Sequence, residues 1–207
     1  MNALPFTQRF ERAVDFVLKW ETEFVGGHDG DFSKEEYVRT EHDPNDPGGT
    51  TRYGIDQRSQ PHVDIWNLTL AGARQIYWDT YWHLRSLENG QWVQIPMDDL
   101  PEGWGECLFD VHVNGGPGVM MAQRACVMAG AKIPIDGGLG PVTIAAMHWA
   151  GKDGLENFLH LRQSRYDSIA HDHPSEAEYL PGWTNRNNAL AALVGVDLRA
   201  VAVAAQG

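Results

Sequence analysis

The chain has 207 residues, 43% hydrophobic and 21% charged, with 8 Trp, 7 Phe and 6 Tyr, which is core material for a folded domain and too apolar for a disordered chain. Its formal net charge of −12 repels phosphate backbones and anionic lipid surfaces, which argues against a nucleic-acid binder and against a stable membrane association. No stretch approaches the ~20 apolar residues of a membrane span. Met1 to Glu11 shows no basic segment followed by an apolar run, so synthesis in the cytosol without a secretory signal is expected.

The first helix signal begins at Thr7, an N-cap, and runs over Arg9 to Phe24. Phe10, Ala13, Val14, Val17 and Leu18 recur there at steps of three and four. Val25 to Ser59 is rich in Gly, Asp, Pro and Thr. Its Asp43-Pro44-Asn45-Asp46-Pro47-Gly48-Gly49 run is a string of turn formers. Thr50 to Ile55 reads as a short strand, so a small hairpin or sheet belongs here. Thr69 caps a second helix on which Leu70, Ala73, Tyr77 and Tyr81 share a face.

Trp104 to Asn114 reads as a buried helix, broken by Asn114-Gly115-Gly116-Pro117-Gly118 and resumed over Val119 to Ala131. Asp136 to Gly140 forms a loop, and Pro141 takes the first position of the next helix. Leu155, Phe158, Leu159, Arg162, Tyr166 and Ile169 mark a further helical face, and a last helix is expected from about Asn187 to Ala205. The expected fold is mainly α, a single helical domain over residues 1–207 with one small β-hairpin or sheet near the N-terminus. Cys107 and Cys126 fall inside apolar helical patterns and read as buried reduced thiols, a single bridge being the alternative.

One acidic residue lies on the wrong face. At ~100° per residue Glu21 falls about 20° from Val14 and about 40° from Val17, on the apolar stripe, whereas Glu23 points away. A carboxyl group on a buried stripe loses hydration, which favours its neutral form. A neutral carboxylic acid is what a glycosidase uses to protonate a leaving sugar oxygen. Alternatively, Glu21 sits where the stripe ends and water returns. The polar segment that follows, carrying Asp46 and Thr51, favours a cleft.

These residues resemble glycoside hydrolase family 108, the peptidoglycan N-acetylmuramidases common as phage endolysins. The likeness rests on Glu21-Thr22-Glu23-Phe24 and on Asp46-Pro47-Gly48-Gly49-Thr50-Thr51-Arg52-Tyr53-Gly54-Ile55. Ile76-Tyr77-Trp78, Tyr81-Trp82, Leu108 to Gly116, Asp136 to Thr143, Arg165-Tyr166 and Gly182 to Arg186 extend it in order along most of the chain. The family's Gly-Gly after the glutamate is Thr22-Glu23 here. The spacer from Glu21 to Asp46, 25 positions, is long for the family, and the extra piece around His28 to Glu41 would enlarge the hairpin lip of a cleft.

The resemblance implies a lysozyme-like α+β fold in which residues 117–207 form the peptidoglycan-binding helical portion. It implies Glu21 as general acid, with Asp46 and Thr51 positioning or activating the attacking water. Tyr53, Tyr81, Trp82 and Asn114 are candidates for lining the sugar groove, since aromatic faces stack on pyranose rings and an amide reads an N-acetyl group. Core packing suits Tyr77 and Trp82 better. Asp110, inside an apolar helix, reads as a hydrogen-bond hub.

No metal or other cofactor is expected. Asp43 to Gly48 lacks the twelfth-position glutamate of a calcium loop, and His28, His42 and His112 form no helix-borne pair of the zinc type. The expected substrate is the β-1,4 bond between N-acetylmuramic acid and N-acetylglucosamine. The expected partner is the glycan strand of bacterial peptidoglycan, met by a monomer at the wall or in the periplasm after release from the cytosol, in a host cell if the chain is phage-encoded. A lytic transglycosylase, and a non-catalytic wall-binding or secretion-accessory protein, are the alternatives. Because the wall is itself anionic, recognition has to be local, in a groove where Arg52, Arg85, Arg165 and Arg186 gather.

Overall fold

The computed structural model describes residues 6–22, 31–42, 48–88 and 91–198. It is a mainly helical α+β fold with a small antiparallel sheet near the N-terminus. The chain divides into two compact units, Met1–Trp82 and His83–Gly207.

In the first unit, helix α1 (Gln8–Glu21) starts where Thr7 Oγ1 accepts from the Phe10 amide at 3.1 Å. It buries Phe10, Ala13, Val14, Val17 and Leu18, the stripe expected from their spacing. Thr22 then turns to an extended conformation, so α1 ends three residues before Phe24. Apolar periodicity marks a face; it does not mark where the hydrogen-bond ladder stops.

Strands β1 (Glu41–His42), β2 (Thr50–Arg52) and β3 (Ile55–Asp56) form an antiparallel sheet in that order. The stretch Thr50 to Ile55 is therefore two strands and not one. Tyr53 (φ 55°) and Gly54 (φ 71°) form the turn between them, with Arg52 paired to Ile55. Two positive φ values in a two-residue loop are the type I′ geometry that matches strand twist.

Arg52 ties this hairpin to its surroundings. Its Nε donates to Leu68 O at 3.0 Å, Nη1 to Val38 O at 2.7 Å and Thr40 Oγ1 at 2.9 Å, and Nη2 to Glu35 O at 3.0 Å. Glu35 in turn accepts from the Leu70 amide at 2.8 Å, at the start of helix α2 (Leu70–Ile76), whose N-cap is Thr69 as expected. Helix α2 runs on into a single π-helical turn, Tyr77–Tyr81. There Trp78 and Trp82 meet the Phe10 ring at 5.0 and 5.3 Å between centroids.

The second unit opens with a hairpin that the sequence reading lacked, β4 (His83–Glu88) paired with β5 (Gln91–Pro96). The intervening Asn89-Gly90 dipeptide was its sequence signal. Helix α3 (Trp104–Val113) is buried along Trp104 to Val111, and α4 (Gly118–Met128) follows. Helix α5 (Pro141–Asp172) begins at the expected proline and is interrupted at Gly151 (φ 51°, ψ −132°), a conformation open to glycine and strained for other residues.

Helix α6 (Leu180–Leu193) starts seven residues before Asn187 and stops well short of Ala205; residues from 199 on lie outside the described part. Pro181 lies in the first turn of α6, where its missing N–H costs nothing. Trp104, Phe109, Phe158, Leu159 and Leu190 are all 1% exposed or less and form the core of this unit. Cys107 and Cys126 are buried and free, and burial pushes the Cys126 thiol up to about 11.

Candidate active site

Helix α1 delivers Glu21 to the sheet. Its amphipathic face is anchored by Phe10 against the tryptophans of the π turn, so the last residue of α1 reaches the β2–β3 turn. The contact is direct: a Cβ added to Gly54 would lie 2.5 Å from Glu21 Cβ and 3.0 Å from Tyr77 Oη. Gly54 therefore serves twice, through its positive φ and through the room it leaves for the glutamate stem. The Tyr77 hydroxyl donates to Tyr53 O at 2.9 Å and fixes the other half of the turn. Glu21 is half-buried at the end of the stripe, neither sealed in the core nor fully solvated.

Tyr81, on the π turn, stands beside the same corner. Burial above all, then the negative charges of Asp56 and Glu21, raise its phenol above the ordinary value, against a hydrogen bond with Ser59. Two carboxylates thus act on one half-buried phenol. Asp56 is held by the loop after β3, where its Oδ1 accepts from the Ser59 amide at 2.8 Å.

Thr51 sits in the middle strand, opposite Glu41 on one side and Asp56 on the other. Directly opposed residues of an antiparallel sheet share a face, so Glu41, Thr51 and Asp56 form a polar row across it. Thr51, Glu41, Arg39, His42 and Trp66 also line a groove of about 630 Å³, with Trp66 56% exposed and its ring 5.9 Å from that of His42. Residues 39–42 come from the long spacer after Glu21, which therefore supplies both an edge strand and a groove wall.

Asp46 lies outside the described residues. Tyr53 is 1% exposed; its ring belongs to the core, beneath the Arg52 guanidinium at 5.2 Å, and only its backbone reaches the corner. Trp82 and Tyr77 are core residues at 0% and 1% exposure. Asn114 belongs to the second unit. It caps α3, with Nδ2 donating to Asp110 O at 2.7 Å, and lines a pocket of about 160 Å³ there.

Asp110 is a buried hub. It accepts from Arg162 Nη2 and from Arg186 Nε and Nη2, the latter two at 3.0 and 2.7 Å. Of the four arginines named from sequence, two are spent inside the fold. Arg52 is spent on four acceptors inside the first unit, and Arg186 is buried against Asp110. Arg85 lies over the exposed Trp92 ring at 5.1 Å, and only Arg165 joins the Asn114 pocket.

Sequence reasoning missed Asp56 and Glu41. Their signal was the strand register through Thr51, which emerges only once the turn at Tyr53-Gly54 is placed.

Residues 14–116 match the model of a family described as Glycosyl hydrolase 108. Residues 117–188 match one described as Predicted Peptidoglycan domain. Among solved structures the chain is similar to SagA of Brucella abortus, at 23% identity and a TM-score of 0.58, over 88% of this chain and 91% of that one. That likeness is one of fold. No curated protein sequence matches the chain.

Proposed function

As the chain belongs to the glycosyl hydrolase 108 family and so acts as a glycoside hydrolase on peptidoglycan, we propose that it is an N-acetylmuramidase with Glu21 as its general acid. The bond cut is the β-1,4 link from N-acetylmuramic acid to N-acetylglucosamine. Glu21, protonated, gives its proton to the glycosidic oxygen as the bond to the anomeric carbon breaks. Positive charge then builds on the muramic ring, and water attacks that carbon while a base takes the water proton. Asp46 and Thr51 are proposed for the water, as the family resemblance implies.

One observation carries this reading: the end of an amphipathic helix places the half-buried Glu21 against the Gly54 turn, where its charge and that of Asp56 both act on the Tyr81 phenol. We further infer an endolysin-type role for a monomer, reaching the wall after synthesis in the cytosol.

Digestion of purified peptidoglycan with mass analysis of the products tests the assignment. Hydrolysis yields a reducing N-acetylmuramic acid end, and Glu21→Gln lowers the rate about a hundred-fold or more, the usual worth of a general acid. Anhydro-muramic products would instead make the chain a lytic transglycosylase. An intact wall, or a fully active Glu21→Gln variant, would defeat the reading.

A further inference from the structure

The pocket around Asn114 in the second unit is small and cationic. Its volume is about 160 Å³, and the charged side chains in its lining among the described residues, Arg162 and Arg165, are both arginines. Arg162 is 2% exposed. Its Nη2 is held by Asp110 and its Nη1 reaches Asn187 Oδ1 at 3.4 Å, yet its buried Nε–H has no acceptor among the described residues. A buried N–H left without an acceptor costs free energy, and such a group commonly marks the place of a missing water or ligand. Arg165 is exposed and makes no ion pair among the described residues.

The rest of the lining complements this charge. Asn114 has spent Nδ2 on Asp110 O, which leaves Oδ1 to accept from a donor on an occupant. Tyr166 and Trp183 stack at 5.4 Å between centroids and 27°, a flat apolar wall, with the Arg162 guanidinium over Tyr166 at 5.2 Å. Donors to an anion, one amide acceptor and an apolar wall, in a volume that holds about one residue, describe a peptide terminus: carboxylate to the arginines, N–H to Asn114, methyl to the rings. A cationic group is repelled.

Resting on the peptidoglycan reading, we propose that this pocket binds the carboxylate end of the short peptide stem that hangs from muramic acid. The site then recognises the stem and not the sugar, and gives a chain of net charge −12 a local means of holding an anionic wall.

The test is titration of the full-length protein with N-acetyl-D-alanine and with its neutral amide, followed by the indole N–H signal of Trp183 in NMR spectra. The acid binds at least ~10-fold more tightly than the amide, as a charge-assisted pair requires. Arg165→Gln, at an exposed position that folding tolerates, lowers affinity for the acid by a similar factor, while Glu21→Gln leaves it unchanged. Equal binding of acid and amide, indifference to Arg165→Gln, or displacement of the acid by N-acetylglucosamine oligomers would overturn the proposal.

Binding is read without turnover, so it stands apart from the muramidase assignment. Cleavage of glycan strands stripped of their peptides, alongside failed acid binding, would overturn the pocket alone. Failure to cleave either stripped or intact strands would strike the muramidase reading while the binding result still decided the pocket.

Discussion

Gly54 concentrates more consequence than any other small residue of the first unit. Its φ of 71° lies where side chains are strained, and an added Cβ would come within 2.5 Å of Glu21 Cβ. Gly54→Ala is therefore expected to cost about 1–3 kcal/mol in stability through the backbone alone. It also pushes the glutamate from its place, so kcat on peptidoglycan should fall by more than the loss of folded protein explains. Thermal melts beside turnover measured well below the melting temperature check this; a stable variant of full activity would show that Glu21 does not depend on the turn. Tyr53 teaches the reverse lesson. Its type suggested a sugar platform, but its positive φ and 1% exposure make it a turn and core residue.

Among elements, the β2–β3 hairpin is the part that most needs support. Its strands are three and two residues long, far too short to persist by their own ladder. Arg52 supplies the support through four hydrogen bonds to three backbone carbonyls and one hydroxyl. Because those acceptors surround a planar fork, lysine cannot replace it. Arg52→Lys is expected to lose about 2–3 kcal/mol, from several hydrogen bonds at ~1 kcal/mol each, and to lower activity through the displaced turn. Denaturant unfolding measures the first effect. A loss under ~0.5 kcal/mol, the range of an ordinary surface change, would show that the sheet is held otherwise. The spacer after Glu21 belongs to the same structure, since residues 35–40 provide three of Arg52's four acceptors.

For the molecule as a whole, charge is the question. A chain of net charge −12 is repelled by an anionic wall, and at physiological salt that repulsion is screened beyond ~8 Å. Salt should therefore do little to reduce activity on cell walls, as short-range contacts in pockets persist while long-range repulsion fades. Rates measured from low to physiological salt test this; a steep fall would reveal attraction by a basic surface. The structure distributes the arginines accordingly: Arg52 and Arg186 build the fold, and Arg165 is left at a pocket.

Much of this was legible in the linear sequence. The 3.6-residue spacing of Phe10, Val14, Val17 and Leu18, the caps Thr7 and Thr69, and Pro141 at a helix start each follow from local geometry, which a chain carries in its order of residues. The same periodicity put Glu21 on the apolar stripe, and the ordered blocks from Glu21 to Arg186 identified the family. What the sequence could not decide depends on contacts between distant segments. The pairing of Glu41 and Asp56 with Thr51, the burial of Tyr53, and the gathering of Asn114, Arg162, Arg165 and Trp183 around one small pocket arise from strand register and helix packing. Those are set by which surfaces exclude water together, a property of the folded chain and not of any stretch of it.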